Sequence, residues 1–243
     1  MLFTDSPAIA IEDLADHETG ILDTAHSEGI NLTVKIVLAI NEVGLQLLSR
    51  FPQLRLVNVA LKNVVVTPAL RLWLVFHTLE IVYRDAYHNQ LNDRYKAKWI
   101  EYKDLSAFAS GLLYQIGIGT VVDPIPQASH PVLSEVTGTL PAGKYFVEVT
   151  WTNSSGAEGA PSELTGIDVA SGHTLRVVSA GGYLWNVYAG TTPDSLTLQN
   201  LSPIASGQGW TAPDFELLSS GAAPRDGQEP IFLSPAPRVL LRG

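Results

Sequence analysis

Residues 117–131 read Gly-Ile-Gly-Thr-Val-Val-Asp-Pro-Ile-Pro-Gln-Ala-Ser-His-Pro, and the character of the chain changes across them. Upstream, apolar residues recur at helical spacing; downstream, Gly, Ser, Thr and Pro punctuate short segments of alternating side chains. Gly117 and Gly119 are suited to closing a helix, and Pro124, Pro126 and Pro131 hold an extended connector. The stretch therefore divides an α+β chain into two domains. The expected organisation is a helical domain over 1–123, a Pro-rich linker over 124–131, a β-sandwich over 132–219 and an extended C-terminal arm over 220–243.

In the first half, Ile11–His26 reads as an acidic helix stopped by Gly29, with Gly20 as an interruption. Asn31 or Thr33 can cap a helix running to about Phe51, where Pro52 ends it. Lys35, Glu42, Gln46 and Ser49 are its one polar stripe, so the helix is expected to lie buried between others. Thr67-Pro68 is a start signal, an N-cap followed by proline in the first turn. Helical spacing then continues to about Ile116, and the polar stretch His88 to Asp93 marks a joint between two amphipathic helices. Unbroken, the element would be roughly 70 Å long. Glu80 with Arg84, Asp93 with Lys96 and Lys98 with Glu101 are expected pairs on the exposed side.

In the second half, Tyr145, Val147, Val149 and Trp151 alternate with Phe146, Glu148, Thr150 and Thr152, the pattern of a central strand. Further strands are expected at Leu164–Val169, Thr174–Val178, Tyr183–Ala189 and Ser195–Gln199. The last 24 residues hold four prolines and form no compact element, yet they are too apolar for a solvated tail. Ile231, Phe232, Leu233, Val239, Leu240 and Leu241 suit β-augmentation or a groove on another chain, with Arg238 and Arg242 beside acids there. The alternative is that the arm folds back on its own domain.

Charge narrows the function. Charged residues are 16% of the 243, against roughly 25% in typical globular domains. A protein this poor in charge often has part of its surface covered by neighbouring chains. The net charge of -9 argues against a general nucleic-acid binder. Residues 1–30 carry seven acids and no Lys or Arg, whereas residues 31–104 carry ten bases against six acids. An acidic lead segment over a mildly basic bundle is one reading; a basic surface facing DNA or an acidic partner is the other. Arg71, Arg84, Arg94, Lys96, Lys98 and Lys103 mark the helical surface expected to serve self-assembly.

The sequence carries no familiar catalytic signature. The chain has no cysteine, no nucleophile elbow, no phosphate-binding loop and no His-Glu-x-x-His. The six histidines are scattered; His77 reads as a satisfied core histidine near Glu80, and His88 with Asp85 supplies two ligands where a metal site needs more. Trp151, Trp185 and Trp210 are read as core, with stacking on sugar rings as the alternative. The N-terminus has neither the basic nor the apolar region of a secretory signal, and no apolar run reaches the length of a membrane span. The expectation is a non-enzymatic protein without cofactor or metal, made in a cytoplasm and not inserted in a membrane.

Two resemblances sharpen this. Tyr145–Asn153, Gly156–Glu163 and Trp185–Thr192 resemble strands of fibronectin type III modules, in an order that looks permuted, which implies an Ig-like sandwich. The order of acidic helix, apolar helix, long amphipathic helices with Asn92–Tyr102, then an extended arm resembles head–tail connector (adaptor) proteins of tailed bacteriophages. That resemblance implies a virion neck protein in a ring, commonly twelve-fold, beneath the portal. Its partners would be further copies of itself, the portal and tail or nozzle proteins, with a passing contact to packaged DNA. A tail-fibre or surface-associated module binding a carbohydrate or receptor is the competing expectation.

Overall fold

The computed structural model describes residues 1–5, 7–52, 59–90, 93–213 and 215–233. In chain order the elements are α1 (Ile11–His17), α2 (Ile21–Glu28), α3 (Leu32–Arg50), α4 (Pro68–Gln90), α5 (Asp93–Ile116), β1 (Ile118–Thr120), β2 (Val132–Thr137), β3 (Gly143–Thr152), β4 (Thr165–Val169), β5 (His173–Val178), β6 (Leu184–Gly190), β7 (Thr197–Leu198), β8 (Gly209–Thr211) and β9 (Ile231–Leu233). They form two compact units of an α+β chain. One spans 3–122 and resumes at 230; the other holds Met1, Leu2 and 123–229.

Local signals place the helices. Asn31 accepts the Val34 amide at 3.2 Å and starts α3. Gly29 adopts φ 64°, the left-handed conformation that ends α2. Thr67 Oγ1 accepts the Leu70 amide in front of Pro68, the first residue of α4. The acidic segment is interrupted at Gly20, as its sequence suggests.

α4 is the centre of the helical unit, with Trp73 to Leu79 and Ile81 to Tyr83 all buried. Its ring contacts with α5 fix their relation: Trp73 meets Tyr114, Tyr83 stacks on Tyr102 at 5.5 Å, and Tyr87 stacks on Trp99 at 5.9 Å. As one number rises the other falls, so the two helices run antiparallel about the joint foreseen between them. Each such pair adds about 0.5–1.5 kcal/mol beyond the area it buries.

The acidic lead segment lies over this bundle through specific pairs. Glu18 sits 2.8 Å from Lys98 Nζ and accepts from Tyr102 Oη at 2.8 Å. Asp13 meets Arg71 at 3.2 Å, and Tyr95 Oη donates to Glu28. Burial works against the Glu18 carboxylate, but the hydrogen bonds from Lys98 and Tyr102 outweigh it and hold its pKa below the ordinary value.

The 220–243 segment, expected to be one arm, is divided. Residues 220–229 belong with the sheets, whereas β9 pairs antiparallel with β1, Gly119 opposite Phe232. The Val64–Thr120 bridge extends the ladder on the other side of β1, and Phe3 donates its amide to Val64 O. Asn63 closes the platform, its amide donating to Val121 O at 3.0 Å. Only glycine fits at 119, where a Cβ would stand 2.7 Å from Thr67 Cγ2 and 2.9 Å from Pro230 Cβ.

The other unit has two antiparallel sheets, ordered β2-β5-β8 and β4-β3-β6-β7. Val147 and Val149 of β3, Leu175 and Val177 of β5, and Trp185 and Val187 of β6 share one core. β3 is central, as its alternation predicts, paired with β4 and β6 in the register Val149 opposite Val187. The segment expected as a linker belongs to this unit, since Ile125 and Ala128 are buried and the Ala128 amide donates to Ala160 O. Ser195–Gln199 yields only the two-residue β7, because Pro193 turns the preceding residues into a 3₁₀ turn.

Candidate assembly surface

α3 carries the clearest surface feature. Leu32, Ile36, Ala39, Val43 and Leu47 pack inward. The helix was expected to lie buried between others, and this is corrected: Val34, Val37, Leu38, Leu45 and Leu48 are exposed, Leu45 by 68%. Periodicity reports which positions are apolar, and here two apolar stripes share one helix with only one of them covered. From Thr33 to Ser49 the charged residues of α3 are Lys35 and Glu42, both half-buried. Lys35 and Glu42 are turned to the flank, paired with Asp85 and His77. Val34, Leu38, Asn41, Leu45 and Leu48 step by four and three residues, the spacing of a seam that receives another helix. Beside it lies a groove of about 320 Å³ lined by Phe3, Ile40, Gly44, Leu45, Leu48 and Leu61. α3 is also long and apolar enough to cross a membrane by length and composition.

The flank of α3 is pinned by His77, which is 8% exposed. Its Nε2 lies 2.8 Å from Glu42 and its Nδ1 3.0 Å from Glu80, with Ser106 Oγ at 3.5 Å. Burial disfavours the cation, but hydrogen bonds and charge from Glu80 and Glu42 outweigh it and raise the pKa above the ordinary value. Glu80 thus faces His77, and the expected pairing with Arg84 is replaced; Arg84 lies 3.8 Å from Asp85.

The basic residues picked from the sequence are dispersed. Arg71 and Lys98 are paired with Asp13 and Glu18, and Arg94 lies over the Tyr95 ring at 4.4 Å. Lys98 also reaches Glu101 at 3.5 Å, one of the expected pairs. Lys96 and Lys103 are exposed on α5. In the arm, Ile231, Phe232 and Leu233 give their backbone to β1, while the Ile231 and Phe232 side chains stay exposed. Arg238, Val239, Leu240, Leu241 and Arg242 lie outside the described residues.

The sheet unit offers a polar cluster that sequence reasoning missed. Glu158 accepts from Thr150 Oγ1 at 2.8 Å, Asn186 Nδ2 at 2.7 Å and Tyr188 Oη at 2.7 Å. Asn200 continues the cluster by donating to Asn186. The three partners lie on the outer face of β3 and β6, whose alternation was legible, whereas Glu158 arrives from a loop. A separate cleft of about 540 Å³ is lined by Pro141, Tyr145, Asp194, Thr197, Phe215 and Leu217. The tryptophans read as core divide: Trp185 is buried, Trp151 stacks on Tyr183 at 5.0 Å and donates to Ser179, and Trp210 is half-buried. Among the described residues no group of three or more His, Asp or Glu is placed to hold a metal ion.

No family model matches this chain, and no curated protein or solved structure does either.

Proposed function

We propose that this chain is a non-enzymatic structural component of a tailed-phage virion, a head–tail connector that forms a ring beneath the portal and joins capsid to tail. The observation that carries the reading is the outer face of α3, apolar and free of charge on a chain of net charge -9. Copies of an acidic protein repel one another except where their surfaces are neutral, so that face is where self-association costs least. On this reading the helical unit makes the ring. The two-sheet unit is an Ig or fibronectin type III-like sandwich turned to tail or outer proteins, which the order β4-β3-β6-β7 against β2-β5-β8 supports. The segment beyond β9 reaches the portal or a neighbour through Val239, Leu240 and Leu241. DNA passes without tight binding, since Arg71 and Lys98 are already matched by acids of the same chain.

The test is negative-stain microscopy and mass photometry of the full chain, alone and mixed with a portal protein from the same source. Closed rings support the reading; a monomer under both conditions, absent from purified virions, overturns it.

A second reading, a carbohydrate- or receptor-binding module, rests on the cleft beside Tyr145 and Phe215. Phe215 is held at φ 81°, a left-handed conformation that non-glycine residues adopt only where their surroundings impose it. Glycan-array binding lost on Phe215→Ala, with folding intact, would favour it.

A further inference from the structure

The outer face of α3 has a counterpart on α5. Ile100, Ala107, Phe108 and Gly111 share one side of that helix and are exposed, Phe108 by 64%. Among the described residues nothing requires a glycine at 111. A Cβ there would meet nothing within 4 Å, its φ is not in the left-handed range, and glycine in a helix interior weakens the helix relative to alanine. A bare backbone next to a protruding aromatic ring, on an exposed helix, suits close approach by another helix. Gly44, on α3, lines the groove and is buried; a Cβ there would stand 3.2 Å from the Phe3 ring and 3.4 Å from Leu61 Cδ1, so its absence lets Phe3 and Leu61 form the groove wall close against the helix.

We propose that α3 of one copy receives α5 of the next, with Phe108 seated in the groove at Gly44 and the seam Val34, Leu38, Leu45 and Leu48 covered by Ile100, Ala107 and Gly111. This rests on the ring reading above and gives it a contact. The occupant is a second copy for three reasons on the molecule itself. The two faces are unlike, so pairing one with the other is heterologous and propagates, into a ring where the rotation closes, whereas pairing like with like would stop at two. Their polar residues match in kind, Asn41 offering amide donors and Asp104 a carboxylate acceptor. Pairing α5 with α5 would instead oppose Asp104 to Asp104, which like-charge repulsion disfavours.

The absence of cysteine makes the test direct. Leu45→Cys and Phe108→Cys are introduced singly and together, both at exposed positions, and treated with a short bismaleimide under conditions where mass photometry reads the assembly state. The double variant is expected to give a ladder of cross-linked oligomers. The two single variants give none alone and dimers only when mixed. Gly111→Ala is expected to raise the thermal midpoint of the helical unit while weakening assembly by about tenfold or more, a change of 1.4 kcal/mol. Dimers from Leu45→Cys alone would overturn the proposal in favour of a symmetric α3 pair. Flotation of the wild-type chain with phospholipid vesicles, lost on Leu45→Glu, would overturn it in favour of a lipid surface. Intact rings without the ladder refute this contact and leave the ring standing. A chain that stays monomeric even with the portal protein refutes both.

Discussion

Replacing His77 with glutamine removes the one cation between Glu42 of α3 and Glu80 of α4. Both ring nitrogens face carboxylates, at 2.8 Å and 3.0 Å, an arrangement that favours the doubly protonated imidazolium and raises its pKa. Breaking a buried ion pair by losing one partner costs about 3–5 kcal/mol. Here the Glu80 side chain is 16% exposed but that of Glu42 is 38% exposed and partly screened, so the lower end, ~3 kcal/mol, is expected. In a unit of this size that is roughly 10 °C in thermal midpoint. The pH dependence gives the sharper readout. Because the folded pKa lies above the unfolded value of about 6.5, the stabilisation is complete below that value. It is lost as pH rises through the folded pKa. Helical ellipticity melts of wild type and His77→Gln, from about pH 6 to about pH 9, should show a gap that narrows as pH rises. A gap that stays constant with pH would refute the charged-histidine account, and no gap at all would refute the geometry.

Three further outcomes follow from the same structure. Glu18→Gln should cost about 1 kcal/mol at neutral pH, and its deficit should vanish on acidification, because a depressed carboxyl pKa stabilises above about 4.5 and the contribution is lost as pH falls through the folded value; urea unfolding at two pH values checks it. Gly119→Ala should cost about 1–3 kcal/mol by pressing a methyl into Thr67 and Pro230, and hydrogen exchange at residues 231–233 should accelerate as β9 loosens. Glu158→Gln should destabilise the sheet unit by about 2 kcal/mol, since three donors lose a charged acceptor. Melts followed by near-ultraviolet ellipticity, which reads Tyr188, would register that loss.

Features set by neighbouring residues were the most legible in the sequence. Asn31, Thr67-Pro68 and Gly29 act through bonds to residues within a turn, so a local reading finds them. β3 was legible because ten residues of alternation leave little ambiguity. β1 and β9 were not, being three residues each and paired across more than a hundred positions. No local pattern encodes such a ladder. β2 was missed because Ser134 and Glu135 break its alternation and the strand is largely exposed. The candidate surface was half legible. The sequence marks α3 as apolar almost all round but not that α4 covers only one of its stripes.

That division bears on how folding and assembly are related. The core residues of α3, from Leu32 to Leu47, are complete without its outer stripe, and α4 is enclosed by elements of the same chain. Removing Leu45 or Phe108 therefore leaves the buried area of the single chain nearly unchanged, and the hydrophobic stabilisation of the fold scales with that area. The cost of the exposed stripe falls instead on solubility, where a net charge of -9 opposes indiscriminate contact. On the proposed assembly, a chain built this way folds first and associates second. Substitutions on the outer faces should accordingly shift the assembly state by large factors while moving the melting point little. Substitutions at His77 or Gly119 should move the melting point first, and assembly only as a consequence.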